Sequence, residues 1–278
     1  MTGGDARRAW PSLQAWRADA DGVLCGEADA AMEIAASEPS HGICGLCGRE
    51  SIFGAAGTDS DTREGLHCAQ CGCNARQRAA AAVLLAALPD PGAARVHATE
   101  HASRLFLALR RRVRHLSGSE YAPTWRLRLR LSRWLLRRGV PAWVRHGDVT
   151  ALAQRDAGLD ALISLDVLEH VSDFRAALRE FARVLRTDGV LVLTVPFYEG
   201  QAQSERIARL REDGSIEHLV EPEYHGDPLA GRVPCFHHFG WDLLDAMREA
   251  GFDQAEAVRV FDPARGLPQA LWVLRARC

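Results

Sequence analysis

Four of the eight cysteines in this 278-residue chain are spaced for metal chemistry. Cys44-Gly-Leu-Cys47 and Cys68-Ala-Gln-Cys71 are two Cys-x-x-Cys pairs, separated by twenty residues and each followed by glycine (Gly48, Gly72). Such a pair makes a tight knuckle presenting two thiolates, and two knuckles complete a tetrahedral four-sulfur shell. That shell suits zinc and leaves no position for water, so the spacing predicts a zinc ribbon with Cys44, Cys47, Cys68 and Cys71 as ligands of a structural ion. Cys73 sits badly for a knuckle, and Cys25, Cys235 and Cys278 carry no comparable spacing. A second concentration of reactive side chains is His225, Asp227, Cys235, His237, His238 and Asp242, all within eighteen residues. Three readings stand for it: a general base, a second metal, or structural loops. His225 and His238 are the candidate bases here, and His170 is a third candidate further upstream.

The elements that must position these groups centre on residues 159–197. Residues 161–165 are a short, almost wholly apolar run ending at Asp166, as expected of a strand buried on both sheet faces. Phe174, Ala177, Leu178, Phe181 and Leu185 then recur at helical spacing, with arginines largely on the opposite side. Asp188-Gly189 is the expected helix stop, and 190–195 is a second apolar strand. This is a βαβ unit of a parallel, doubly wound sheet, which binds ligands beyond the carboxyl ends of its strands. Residues 95–100 and 113–117 are read as two further strands flanking a helix at 103–112, and 257–261 with 270–275 as the last two. Helices are expected at 125–138, along the charged stretch that ends at Arg211, and at 241–250. Glu120, next to Tyr121, follows the first turn by about twenty residues, where an acidic side chain bonds ribose hydroxyls in nucleotide-binding α/β folds. The chain divides into an N-terminal helical and linker segment (1–43), a zinc ribbon with connecting helix (44–92) and a large α/β domain (93–278).

The run LDALISLDVLEHVSD…ALREFARVLRTDGVLVLTVPF resembles the core of class I S-adenosylmethionine-dependent methyltransferases of the type 11-like group. In these an acidic residue closes the fourth strand, a VLEH turn follows, and a turn similar to RVLRTDG leads into the fifth. The resemblance is strong over these residues and extends more weakly over 95–278. It implies a Rossmann-like fold, parallel with an antiparallel terminal pair, and S-adenosylmethionine as cofactor. The glycine-rich turn usual after the first strand is replaced by His97-Ala98-Thr99-Glu100-His101. This turn is similar to one found in a subgroup that carries an N-terminal zinc ribbon followed by a CGxxxRxR segment, here Cys71 to Arg78. By resemblance, Ala98, Thr99 and Glu100 line the amino-acid end of the cofactor, Asp148 and Val149 hold the adenine, and Asp166 lies near the methionine end. Arg76 and Arg78 either touch substrate, pin the ribbon to the larger domain, or are solvated.

Composition is that of a soluble globular protein with formal net charge −2. All 34 basic residues are arginine, which reads as GC-rich coding rather than function. No apolar run approaches a membrane span, and the N-terminus lacks the basic-then-apolar pattern of a signal peptide, so a cytoplasmic location is expected. From Arg104 to Arg145 the only acidic residue is Glu120. Its arginines make a helix with a solvated outer face, a surface for RNA, or a membrane-facing helix. The expected reaction is methyl transfer to an oxygen or nitrogen of a small metabolite or glycan. RNA is the second acceptor class, and a cofactor-free binding module is the non-enzymatic reading.

Overall fold

The computed structural model describes residues 7–35, 40–55, 62–227 and 231–278. Strand β1 (Arg7–Trp10) leads into helix α1 (Leu13–Ala35). A three-stranded antiparallel sheet follows, made of β2 (Ser40–Ile43), β3 (Glu50–Ala55) and β4 (Leu66–Cys68), with the single-turn helix α2 (Thr62–Gly65) before β4. Helix α3 (Ala75–Ala87) then opens the series β5 (Arg95–Ala98), α4 (Arg104–Leu109), β6 (His115–Gly118), α5 (Trp125–Leu136), β7 (Leu159–Leu165), α6 (Phe174–Val184) and β8 (Leu185–Thr194). Six short strands come next: β9 (Glu205–Arg206), β10 (Ala208–Leu210), β11 (Ile216–His218), β12 (Tyr224–Asp227), β13 (Gly231–Pro234) and β14 (His237–His238). The chain ends with α7 (Asp242–Glu249), β15 (Gln254–Asp262) and β16 (Leu267–Arg277).

Seven strands form one sheet in the order β1-β15-β16-β8-β7-β5-β6. The four strands from β6 to β8 run parallel, whereas β16, β15 and β1 are antiparallel to their neighbours. The doubly wound, Rossmann-like sheet expected, parallel with antiparallel terminal strands, is therefore present. Its faces are sorted by the two-residue period of a strand. Ala161, Ile163, Val190 and Val192 pack with α3, α4 and the cysteine-bearing sheet. Leu162, Leu191 and Leu193 pack on the other face with Trp16, Phe181 and Met247 of α1, α6 and α7. Helix α6 forms where Ala177, Leu178, Phe181 and Val184 make one buried stripe, and the Asp173 side chain caps its start by accepting from the Ala176 backbone N–H at 2.9 Å.

Several sequence expectations are corrected. The N-terminal segment is helical over α1, as expected, but it also supplies a strand to the large sheet: β1 pairs with β15, and Trp10, Trp16 and Trp272 pack edge to face at 4.9–5.8 Å. Residues 40–42, read as linker, belong to β2; part of the expected linker (36–39) lies outside the described residues. Helix α3 is likewise no mere connector, since Ala79, Ala80, Val83 and Leu84 are buried in the core of the large sheet. Helix α6 stops at Val184, before Asp188-Gly189. There Asp188 takes the left-handed backbone (φ 62°) while Gly189 allows a close pass by the Arg186 carbonyl. The charged stretch after residue 198 is extended rather than helical: β9 pairs with β14, and β10 with β11 around Gly214 (φ 81°). No helix among the described residues is long and apolar enough to cross a membrane.

Phe181 is wholly buried, whereas Arg179 on the same helix is exposed and approaches Asp173 only at 4.0 Å. Phe181→Ala is expected to lower unfolding free energy by about 3–5 kcal/mol and Arg179→Ala by less than about 0.5 kcal/mol, measured by urea denaturation. The reverse ranking would contradict this packing.

Candidate functional site

The two cysteine pairs sit on matching turns. The Cys44 N–H donates to the Arg49 carbonyl and the Gly48 N–H to the Cys44 carbonyl, and the same pattern links Cys68 to Cys73 and Gly72 to Cys68. Gly48 and Gly72 both take positive φ (70° and 72°), which is why glycine follows each pair. The four sulfurs lie within 4.8 Å of one another, with Cys44 and Cys71 at 4.0 Å and Cys47 and Cys68 at 3.9 Å. Four sulfurs bonded tetrahedrally at about 2.3 Å would stand roughly 3.8 Å apart, so the donor set fits zinc. Crowding raises the Cys44 thiol well above its ordinary value, through its contact with Cys71 first and burial second. Deprotonating such a cluster is what a divalent cation makes favourable.

This module reaches the carboxyl ends of the parallel strands through charge. Asp166 follows β7 in a left-handed conformation (φ 48°), held by its N–H to the Thr194 carbonyl and by the Thr194 hydroxyl donating to its carboxylate at 2.8 Å. Arg63 of α2 donates two hydrogen bonds to the same carboxylate, at 2.7 and 2.9 Å, and Arg76 of α3 lies 3.1 Å from it. Glu64 closes the ring by accepting from Arg63 at 2.9 Å and from Arg76 at 2.6 Å. Burial would raise the Asp166 carboxyl, but Arg76 and then Arg63 outweigh it and hold it below the usual carboxylate range. Of the three readings of Arg76 and Arg78, pinning describes both. Arg78 donates to the carbonyls of Leu66, Arg265 and Gly266 at 2.8–2.9 Å with its guanidinium 4.4 Å over the Phe53 ring.

The other sequence-predicted carboxylates divide. Glu100 follows β5, one of its oxygens is buried without a hydrogen-bond partner, and burial pushes its carboxyl up to about 8. Arg76 opposes that shift while Glu120 and Asp166 add to it, so these three carboxylates share one electrostatic neighbourhood. Glu120 accepts from the Ala102 N–H at 2.7 Å, which ties the ends of β5 and β6 together. Ala98 is buried, and Thr99 donates from its backbone to the Ile163 carbonyl and from its hydroxyl to Ser164 at 3.0 Å. No described residue from Ala98 to Ser103 takes a positive φ, so this turn needs no glycine. Tyr121 is 71% exposed and tilts over His146 at 5.3 Å. Residues 144–150 form no strand and pair only through single bridges at His146 and Asp148. The Asp148 carboxylate is turned onto its own loop, accepting from the Thr150 N–H and hydroxyl, and that turn breaks the ladder. Val149 packs half-buried against the core on the α6 side.

The three histidine candidates converge. His170 ends the 3-10 turn 168–170 after β7, and its ring meets His225 edge to face at 5.1 Å. Glu223 accepts from His225 at 3.0 Å and from His238 at 2.7 Å, joining the remaining pair. The segment is drawn over the strand ends by the Phe236 N–H donating to the Glu169 carbonyl at 2.7 Å. Two neighbours serve structure instead: His237 is buried against Phe174 and Phe239, and Asp242 accepts from the Ser204 N–H. Sequence reading missed Arg63, Glu64, Glu169 and Glu223. Arg63 and Glu64 lie in an unpatterned loop between the cysteine pairs, and Glu169 is hidden inside a turn read as structural. Helix α5 matches its expected span, with Leu131 and Leu135 buried in a small satellite core and its arginines outside.

Residues 97–193 match the family model described as "Methyltransferase domain". A Mycolicibacterium smegmatis protein described as "Probable S-adenosylmethionine-dependent methyltransferase" is 28% identical over 120 residues, 42% of this chain. The chain spans about half the length of that curated relative, 47% of it. Among solved structures, an S-adenosylmethionine-dependent methyltransferase from Mesorhizobium loti aligns over 72% of this chain and 98% of its own, at 17% identity and TM-score 0.47. An amino pentose methyltransferase from Micromonospora echinaspora, solved with S-adenosylmethionine bound, aligns over 71% and 89%, at 21% identity and TM-score 0.45. Over residues 97–193 the chain is thus similar to a methyltransferase domain, and over 120 residues to a probable S-adenosylmethionine-dependent methyltransferase.

An acid whose folded-state pKa is raised contributes stability below its unfolded value, here 4.5, that is lost as pH rises through the folded value, here about 8. Wild type is therefore expected to lose stability relative to Glu100→Gln as pH rises from about 4.5 to about 8, in chemical denaturation at each pH. Parallel pH profiles for the two proteins would contradict a buried carboxyl with one unpartnered oxygen.

Proposed function

We propose that this protein transfers the methyl group of S-adenosylmethionine to an oxygen or nitrogen of a small metabolite or glycan. The observation that carries this reading is the placement of Glu100, Glu120 and Asp166 just past the ends of the adjacent parallel strands β5, β6 and β7, within the segment that matches the methyltransferase domain. S-adenosylmethionine supplies an electrophilic methyl on a sulfonium, and its ammonium and ribose hydroxyls are hydrogen-bond donors that carboxylates accept. Glu100 and Asp166 would serve the amino-acid end, beside Ala98 and Thr99, and Glu120 the ribose. Asp148, Val149 and Tyr121 would enclose the adenine, which requires the Asp148 carboxylate to leave Thr150. Arg63 must also yield part of its hold on Asp166, so cofactor binding and the seating of the cysteine module are coupled.

Catalysis of this kind depends mainly on holding donor and acceptor in line, with a base needed only where the acceptor must lose a proton. His238 is the best placed of the three histidines for that step: its side chain is 19% exposed and Glu223 orients its Nε2, leaving Nδ1 to act. His170 and His225 would then shape the acceptor wall, because His170 is tied to the Pro234 carbonyl and His225 to Glu223. A structural zinc on Cys44, Cys47, Cys68 and Cys71 would fix the module that carries Arg63 and Glu64.

Calorimetric titration with S-adenosylmethionine or S-adenosylhomocysteine tests the proposal. Binding is expected, weakened at least about tenfold by Glu120→Ala or Asp148→Ala, the size of effect of losing one charge-assisted hydrogen bond. No heat at high micromolar ligand would overturn it.

A further inference from the structure

We propose that Glu169, His170, His225 and Cys235 form a second metal site, suited to zinc and separate from the four-cysteine cluster. The side chains come from three places: the turn after β7, strand β12, and the residue following β13. One ligand atom each from His170, His225 and Cys235 lies within 4.8 Å of the others. Glu169 Oε1 lies 3.9 Å from His225 Nδ1 and 4.0 Å from His170 Nε2. In a tetrahedral shell with bonds of about 2.0–2.3 Å, ligand atoms stand roughly 3.3–3.8 Å apart, so the two Glu169–histidine contacts are close to that spacing and Cys235 must approach to close the shell.

The outer partners set both imidazoles for ligation. His170 Nδ1 is 2.9 Å from the Pro234 carbonyl. A carbonyl only accepts, so Nδ1 carries the hydrogen and Nε2 the lone pair. His225 Nε2 is 3.0 Å from Glu223, which likewise puts the hydrogen on Nε2 and the lone pair on Nδ1. These lone-pair nitrogens are the two that face Glu169. A metal-bound histidine commonly donates its other N–H to a carbonyl or carboxylate, as both do here. Glu223 is itself fixed from its far side by His238 at 2.7 Å.

Glu169 is the independent observation. It is wholly buried, and neither carboxylate oxygen has a hydrogen-bond partner. A buried carboxyl without partners is costly, and a divalent cation at the two nitrogens would satisfy it. Cys235 is 1% exposed, its sulfur 3.9 Å from His170 Nδ1, the nitrogen bonded to the Pro234 carbonyl, so it completes the shell by turning toward Nε2. Two imidazoles, a thiolate and one carboxylate favour zinc over the oxygen-preferring magnesium and calcium.

The test is metal content after zinc loading and dialysis, by mass spectrometry on the full chain, with affinities from chelator competition. Wild type is expected to hold two equivalents. Cys235→Ser and His225→Ala should each lose one, and their cobalt-substituted forms should keep the intense thiolate bands of the cysteine cluster. Cys68→Ser should lose the other equivalent, so failure of either site reads out separately. Glu223→Gln is nearly isosteric and alters the partner behind His225 and His238 without removing a ligand; it should weaken one equivalent about 10–100-fold. Metal content and affinity unchanged in Glu223→Gln, together with unchanged content in whichever of Cys235→Ser and His225→Ala folds, would overturn the site whatever the wild-type total.

Discussion

A carboxylate at the end of a central parallel strand, held between two guanidiniums from outside the sheet, organises this molecule. Asp166 cannot be buried there as an anion without partners, and Arg63 and Arg76 supply them from the cysteine module and from α3. Breaking a buried ion pair by removing one partner costs roughly 3–5 kcal/mol in general, because the remaining charge is left uncompensated. The cysteine module is therefore held to the sheet by the residue that also borders the candidate cofactor cleft.

Burial sorts the acidic groups around this pair. Asp166 stays ionised because the arginines face it, whereas Glu100 is desolvated with one oxygen unpartnered and shifts upward. Glu169 shifts upward as well, by burial first and by the Asp166 charge second. The strand ends thus hold carboxyls shifted in opposite directions within one small region, a pattern that clusters at functional sites. The loops after β8 lie over the same region because backbone bonds, such as that from Phe236 to Glu169, fasten them to the turn following β7.

Much of this was legible in the residues. The apolar runs at 161–165 and 190–195, with the helical stripe ending at Leu185, specified the βαβ unit, because a strand buried on both faces leaves few other sequences possible. The cysteine spacing specified the knuckles, since positive φ at Gly48 and Gly72 is a local requirement visible as glycine. What was not legible depends on tertiary contact. Strand β1 exists because β15 offers an edge and Trp272 a partner for Trp10 and Trp16. The stretch after residue 198 has helical composition, yet its strands are set by pairing with residues near 216–218 and 237–238. Arg63 and Glu169 carry no pattern of their own, and their roles appear only when distant elements meet.

The central claim is that the ends of β5, β6 and β7 face one ligand cradle, and hydrogen exchange with and without S-adenosylhomocysteine measures it most directly. The account predicts slowed exchange confined to the turns at 98–102, 119–122, 146–150 and 166–170, with a change around Arg63 as its hold on Asp166 adjusts. Protection elsewhere, such as the cavity of about 370 Å³ between α1 and β15, or no protection at saturating ligand, would contradict it.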